Sequence, residues 1–493
     1  MSYLLRLTAM GKIKAILNRL AHPVDLTSGV PWRVILRYST PIMLSYFLQQ
    51  LYVLSDAIIC GQVLTAEEVA GVNDTFPLTF IFLQFAFGCT AGFSVITAKR
   101  VGSNDVAGIR RSFTAQIYLS VIISVVLSAL AVVFLPALLA IINVTPANKA
   151  VYDAAYIYCL IIFIGIITQM GYNFICGILR AYGDSVTPLV FLVISTALNI
   201  ALDIFFLSVL KMGAAGAAVA TVITQLLSVI GCFAFTFVKY KELRPTKEDF
   251  LTAPKEFWAH LKQGLPLGLQ FAILAIGIIV MQSVVVKFDL TADGTMVAGT
   301  PAQNGYGAAS KLINFLMSPF NGLGAAILGF NAQNLGKGNY DTIKKGTVQA
   351  LVITLIASAI CMAAGFLLSI NGAYQYIFMS KEKISAGSIE YGNIAIFVDI
   401  GLYAILGFLI VTRSAAQGIC ATGYVLGAGI AELTARSLIC AFLPVIVNGG
   451  AVTCSASAAA FAALCFGDPG AWILASSVLC IPLFGKILKK NKR

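Results

Sequence analysis

Four carboxylates stand inside stretches that are otherwise apolar: Asp56, Asp203, Asp399 and Glu432. A charged side chain at the centre of a membrane-spanning helix costs ~2.5–3.5 kcal/mol on insertion scales, so each needs a partner or a task. Asp56 shares one helical face with Gln49 and Tyr52, at the spacing that stacks side chains turn above turn. Asp203 has Asn199 one turn before it. The turn that follows is very short and centred on Met212, with Asp203 nine residues before it and Thr221 nine after. Both then lie at one depth, ~13 Å in at 1.5 Å per residue. Two carboxylates with amide and hydroxyl oxygens beside them suit a proton or Na⁺ site. Held together away from water, they cannot both stay charged at low cost, so the pair can exchange its proton for a cation. A hydrogen-bonded cluster that only ties helices together is the alternative.

The remaining acids read differently. Glu432 and Arg436 stand one turn apart, the spacing of a structural salt bridge, with gating the other role open to them. Asp399 has no local partner, which leaves it either lining a cavity or pairing with a distant base. Pro41, Pro266 and Pro319 inside helices mark kinks, static or hinged.

The elements that position these residues follow from composition. The 493 residues are 59% hydrophobic and 11% charged, with a mean hydropathy of +0.90. A soluble chain carries roughly 25% charged residues, so most of this exterior must face lipid. Apolar stretches long enough to span, ~20 residues each, fall near 32–61, 69–98, 112–142, 152–178, 186–210 and 213–238. A second set falls near 262–288, 304–333, 343–370, 390–418, 424–448 and 457–485. The fold class expected is an all-α membrane protein of twelve helices. The net charge of +12 is concentrated in alternate loops: the N-terminal tail, 99–111, 239–262, 337–345 and the last eight residues. That asymmetry puts both termini in the cytoplasm, in the plasma membrane, and makes the charge a topology signal with an anionic-lipid contact, not a nucleic-acid footprint. Arg180 and Arg413 count as inner loop charges on this reading, leaving Lys311 and Arg436 within spans. Residues 1–20 lack the apolar core of a cleaved signal and read as a short basic amphipathic helix. The cysteines fall mostly within spans, with neither CxxC pairs nor histidine at metal spacing, and serve as small buried side chains; no metal site is expected beyond possible Na⁺ at Asp56 and Asp203.

An internal repeat organises the chain. Residues 98–111, AKRVGSNDVAGIRR, align with residues 332–345, AQNLGKGNYDTIKK, and the same register sets Gly88 against Gly322. Pro41 matches Pro266 in a register shifted by an insertion, placed in the loop 289–303. The domains are then an N-terminal segment 1–31, an N-half 32–238, a linker 239–261, a C-half 262–485 and a basic tail 486–493. Parallel six-span repeats enclosing a cavity are what alternating access requires. The only histidines, His22 and His260, lie in inner polar segments, and no Walker or GxSxG sequence is present. An enzyme is therefore not expected.

Taken together, PIMLSYFLQQLYVLSDAIICGQ (41–62), GILRAYGDSVTP (177–188), LNIALDIFFLSVLKMGAAGAAVAT (198–221), FNAQNLGKG (330–338) and ELTAR (432–436) resemble the multidrug and toxic compound extrusion (MATE) family, above all its DNA-damage-inducible bacterial members. The resemblance implies two six-helix lobes around a V-shaped cavity, and export of small organic, often cationic, compounds in exchange for H⁺ or Na⁺, with no cofactor. It implies an ion site at Asp56, Asn199, Asp203 and Thr221, with Gln49, Tyr52, Tyr158 and Asn173 as pocket neighbours. Members with a C-lobe cation site carry a glutamate in the seventh helix; LPLGLQFAILAIGIIVMQS has none, which favours the N-lobe. A monomer suffices for the mechanism. A flippase of lipid-linked saccharides from the same superfamily is the nearest rival, and it predicts a basic cavity and often fourteen spans.

Overall fold

In lipid a chain must satisfy its own backbone hydrogen bonds, and an α-helix does so within one segment. The computed structural model describes residues 23–251 and 253–489, so the amphipathic helix expected over residues 1–20, with His22, and the end of the basic tail lie outside the described residues. The N-half contains α1 (Pro31–Val63), the short α2 (Ala66–Asp74), α3 (Phe76–Gly102), α4 (Val106–Val133), α5 (Lys149–Ile164), α6 (Ile166–Ala181), α7 (Val186–Asp203) and α8 (Ala214–Lys239). The C-half contains α9 (Pro254–Val285), α10 (Pro301–Lys337), α11 (Tyr340–Ser369), α12 (Ala386–Gly401), α13 (Tyr403–Gly418), α14 (Thr422–Asn448), α15 (Ala458–Cys465) and α16 (Gly467–Pro482). Among the described residues ten helical stretches can cross a membrane, and the bent pairs α5–α6 and α12–α13, at 42° and 52°, bring the number to twelve. Each half thus carries its broken span in fourth place.

The second span starts later than the hydropathy suggests. Thr65 and Glu68 form a capping box that starts α2 as a separate helix, and α3 begins afresh with Pro77 in its first turn. The seventh span starts earlier, at Pro254. His260 is therefore not in a polar loop but fully buried in α9. Its Nε2 meets Ser112 Oγ at 2.7 Å, and Nδ1 lies 2.8 Å from the Glu256 carbonyl.

The repeat read from the sequence recurs as a repeated contact. A Cβ on Gly102 would run into the Gln333 carbonyl, and one on Gly336 would run into the Lys99 carbonyl. Gly102 and Gly336 are partners in the repeat register, and so are Lys99 and Gln333. Deeper in, a Cβ on Gly88 would lie 2.8 Å from Gly268 Cα, and one on Gly322 would lie 2.7 Å from Met43 Cα. Here too Met43 and Gly268 correspond, in the register that pairs Pro41 with Pro266. Contacts that exchange partners in this way belong to two halves related by a two-fold axis. Glycine at these crossings lets backbones meet at the distance small residues allow in membranes.

These crossings lie toward the side that carries both chain ends, termed the terminal side. Polar contacts close it further. Tyr38 donates to the Arg180 carbonyl at 2.7 Å, Gln333 to the Ala181 carbonyl at 2.7 Å, and Asn334 to the Leu26 carbonyl at 2.8 Å. Arg100 pairs with Glu256 across the halves. The halves are fastened at one end.

Candidate functional site

α1 runs from the terminal side with Tyr52 and Asp56 in its far half. α7 arrives alongside and ends at Asp203, where the backbone loosens into a π-helical turn, Ile204–Val209. Such turns are frequent at functional sites. Gly213, at φ +61°, reverses the chain into α8, and a Cβ there would strike the Glu68 carboxylate of α2. The tight reversal lays α8 back along α7, so Thr221 returns toward the depth of Asp203, as the spacing around Met212 predicts.

The two carboxylates face each other. The Tyr52 hydroxyl meets Thr221 and stands close to both acids, and Tyr158 borders Asp56 and Tyr52. Asn199 and Asp203 are fully buried. Both Asp203 oxygens, Oδ1 of Asp56 and both amide atoms of Asn199 lack hydrogen-bond partners. Neither acid makes an ion pair among the described residues. Such a group of unmatched oxygens is suited to holding a proton or a small cation. A proton on one carboxyl can be donated to the other, and a small bare cation can take the same oxygens.

The structure gathers Asp56, Asp203, Tyr52, Thr221 and Tyr158 in one place, with Asn199 one turn behind. Gln49 stays exposed a turn toward the terminal side, and Asn173 is half-buried on α6 with its amide nitrogen unpartnered. Cys60 was missed. It lies one turn beyond Asp56, faces both acids and packs with Leu207 and Ala217. Its spacing from Asp56 was the available signal. The repeat register sets Met281 of the C-half against Asp56, so the acidic site is not duplicated.

The C-half charges are more extensive than the sequence suggested. Glu432 and Arg436 do meet, at 3.4 Å, but Arg436 holds Asp468 more closely, at 2.5 Å, and Glu432 is held by Arg413. Arg413 is thus not a loop charge: α13 extends past it and turns it onto α14. Asp399 is 1% exposed with Arg436 and Asp468 as charged neighbours, and its Oδ1 has no hydrogen-bond partner. Pro41 lies inside α1, with Ser45 donating to its carbonyl at 2.9 Å. Removing one member of a buried pair strands the other. Glu432→Ala is therefore expected to destabilise the protein by ~3–5 kcal/mol, and Met at both 413 and 432 to recover most of that. Thermal unfolding in detergent reads both.

The MatE family model matches residues 41–205 and 279–448, one stretch in each half. The chain belongs to the MatE family. Among its relatives, the probable multidrug resistance protein YpnP of Bacillus subtilis is 32% identical over 317 residues, covering 64% of this chain and 67% of that protein. An FAD transporter of Shewanella oneidensis is 25% identical over 341 residues, 67% of this chain and 71% of its own. The fold matches a solved MOP-superfamily transporter from Pyrococcus furiosus with a TM-score of 0.82 at 22% identity, over 95% of this chain and 99% of that one. MatE proteins are transporters, not enzymes, and this member is accordingly a multi-pass membrane transporter.

Proposed function

We propose that this MatE protein is a secondary active antiporter that exports small organic, often cationic, compounds in exchange for H⁺ or Na⁺. The observation that carries the reading is the facing pair Asp56 and Asp203, with unmatched oxygens and no counter-charge among the described residues. Asn199, Thr221, Tyr52 and Tyr158 complete the ion site, and Gln49 and Asn173 belong to the substrate side of the same half.

The cycle follows from the charge. With the terminal side closed, substrate occupies the space between the halves, which are 32–238 and 262–485. An ion from the far side reaches Asp56 and Asp203 and neutralises them. The loss of charge lets α1, α7 and α8 repack, and substrate leaves. The halves then rock apart at Gly102 and Gly336, and the ion departs to the terminal side. The excess of lysine and arginine in the loops supports a cytoplasmic position for that side, in the plasma membrane. A single chain holds every part of this cycle, so it works as a monomer.

Ethidium export from proteoliposomes under an imposed pH gradient, and separately under an imposed Na⁺ gradient, tests the reading. Export driven by one gradient names the ion; export indifferent to both would contradict antiport.

A further inference from the structure

We propose that Arg180 is an anion-binding subsite on the floor of the N-half, and that it receives the carboxylate of a transported aromatic compound. The inference rests on the chain being an exporter, and it names a substrate class for that activity.

Arg180 is the last residue but one of α6. Helical Cα–Cβ bonds tilt toward the N-terminus of their helix, so its side chain runs back toward the middle of the bundle, away from the terminal-side water. Its neighbours agree: Cys176 and Tyr172, one and two turns back on α6, and Tyr46 and Tyr38 on α1. The residue remains half-buried rather than sealed.

A guanidinium inside a bundle almost always has a partner. The others here do: Arg436 has Asp468 and Glu432, Arg413 has Glu432, and Arg100 has Glu256. Among the described residues Arg180 makes no ion pair. The acid nearest in sequence, Asp184, is occupied by Lys239, Tyr240 and Thr187 at 2.7–2.9 Å. The Tyr38 hydroxyl is committed to the Arg180 carbonyl, whereas among the described residues no hydrogen bond engages that of Tyr46. A guanidinium without an ion pair and a neighbouring phenol without a hydrogen bond, among the described residues, form a donor set for an oxyanion.

The other half carries no charge at the same place. Gly177 packs on Ser94 and Gly418 packs on Leu328, and Ser94 and Leu328 correspond in the repeat. That register puts Ala421 in the place of Arg180 in the C-half. At this position the charge is peculiar to the half that also holds Asp56 and Asp203. The ten residues of α1 from Tyr46 to Asp56 span ~15 Å at 1.5 Å per residue. One face of that helix therefore runs from a basic pole to an acidic one, which suits an aromatic molecule with an amine at one end and a carboxylate at the other.

Two dyes that differ only in that carboxylate provide the test. Rhodamine 110 has it free, and rhodamine 123 is its methyl ester. Binding of each to the purified full chain in neutral detergent, read by fluorescence polarisation without any gradient, is independent of ion coupling. If antiport fails in vesicles while the dye preference stands, the functional reading is lost and this one is kept. Wild type is expected to prefer rhodamine 110. Arg180→Gln should weaken rhodamine 110 about tenfold or more and leave rhodamine 123 within about twofold. Arg180→Lys should keep part of the preference, and Tyr46→Phe, which leaves the charge in place, should reduce it several-fold. Equal losses for the two dyes, no loss in Arg180→Gln, or a wild type without the preference would each overturn the proposal.

Discussion

Asp56→Asn and Asp203→Asn are each expected to reduce gradient-driven export to the level of empty vesicles, a loss of at least about tenfold, while the protein stays folded in the membrane. The two halves of that expectation have separate causes. Asparagine fills the same space and cannot exchange a proton or balance a cation, so the ion loses its means of altering the charge of the N-half. The folded state is spared because neither carboxylate pairs with a base; removing the charge strands no partner, unlike Glu432→Ala. Stability should stay within ~1 kcal/mol of wild type. If the cluster only tied helices together, the opposite pattern would appear, with a lowered unfolding temperature and export persisting in proportion to folded protein. Asn199→Ala should be milder, since Asn199 lies one turn behind the acids rather than between them.

The second large effect is expected at the terminal-side crossing. Gly102→Leu or Gly336→Leu should abolish export and lower the unfolding temperature, because the first added carbon already meets the backbone carbonyl of Gln333 or Lys99. Overpacking in a core costs ~1–3 kcal/mol where side chains can move aside; a carbonyl within a helix cannot, so the loss should reach the top of that range or pass it. Because the two glycines are the same position in two copies of one design, Gly102→Ala and Gly336→Ala should cost similar amounts. Gly61→Ala serves as the control, since nothing lies within 4 Å of a Cβ there. Thermal unfolding and ethidium export measured on the same preparations decide it. Unequal costs for the two alanine variants would argue that the closure is not symmetric.

The features legible in the sequence were those carried by period and spacing. Twelve apolar stretches located the spans, and AKRVG against AQNLG located the repeat, because a loop is not low in complexity. The spacing of Asp203 and Thr221 about Met212 put them at one depth, since a tight reversal leaves little freedom in depth. What could not be read was decided by partners distant in the chain. Nothing local shows that Arg413 turns inward to Glu432, or that Arg436 prefers Asp468 on another helix to Glu432 on its own. Arg180 and His260 look like loop charges until helix ends are known; α6 and α9 each carry an ionisable side chain into the bundle that hydropathy assigned to water. The division of the second span was written in Thr65 and Glu68, but a capping box becomes meaningful only once the following helix is known to restart.

The central claim is that Asp56 and Asp203 exchange an ion for substrate, and the most direct measurement reverses the usual direction. Proteoliposomes without any ion gradient, loaded with a pH- or Na⁺-sensitive dye, are given a step of substrate on one side. Substrate-driven movement of one ion in the opposite direction, present in wild type and absent in Asp56→Asn and Asp203→Asn, is the predicted result. Substrate that crosses with no accompanying ion movement, or ion movement that survives both substitutions, would contradict the account.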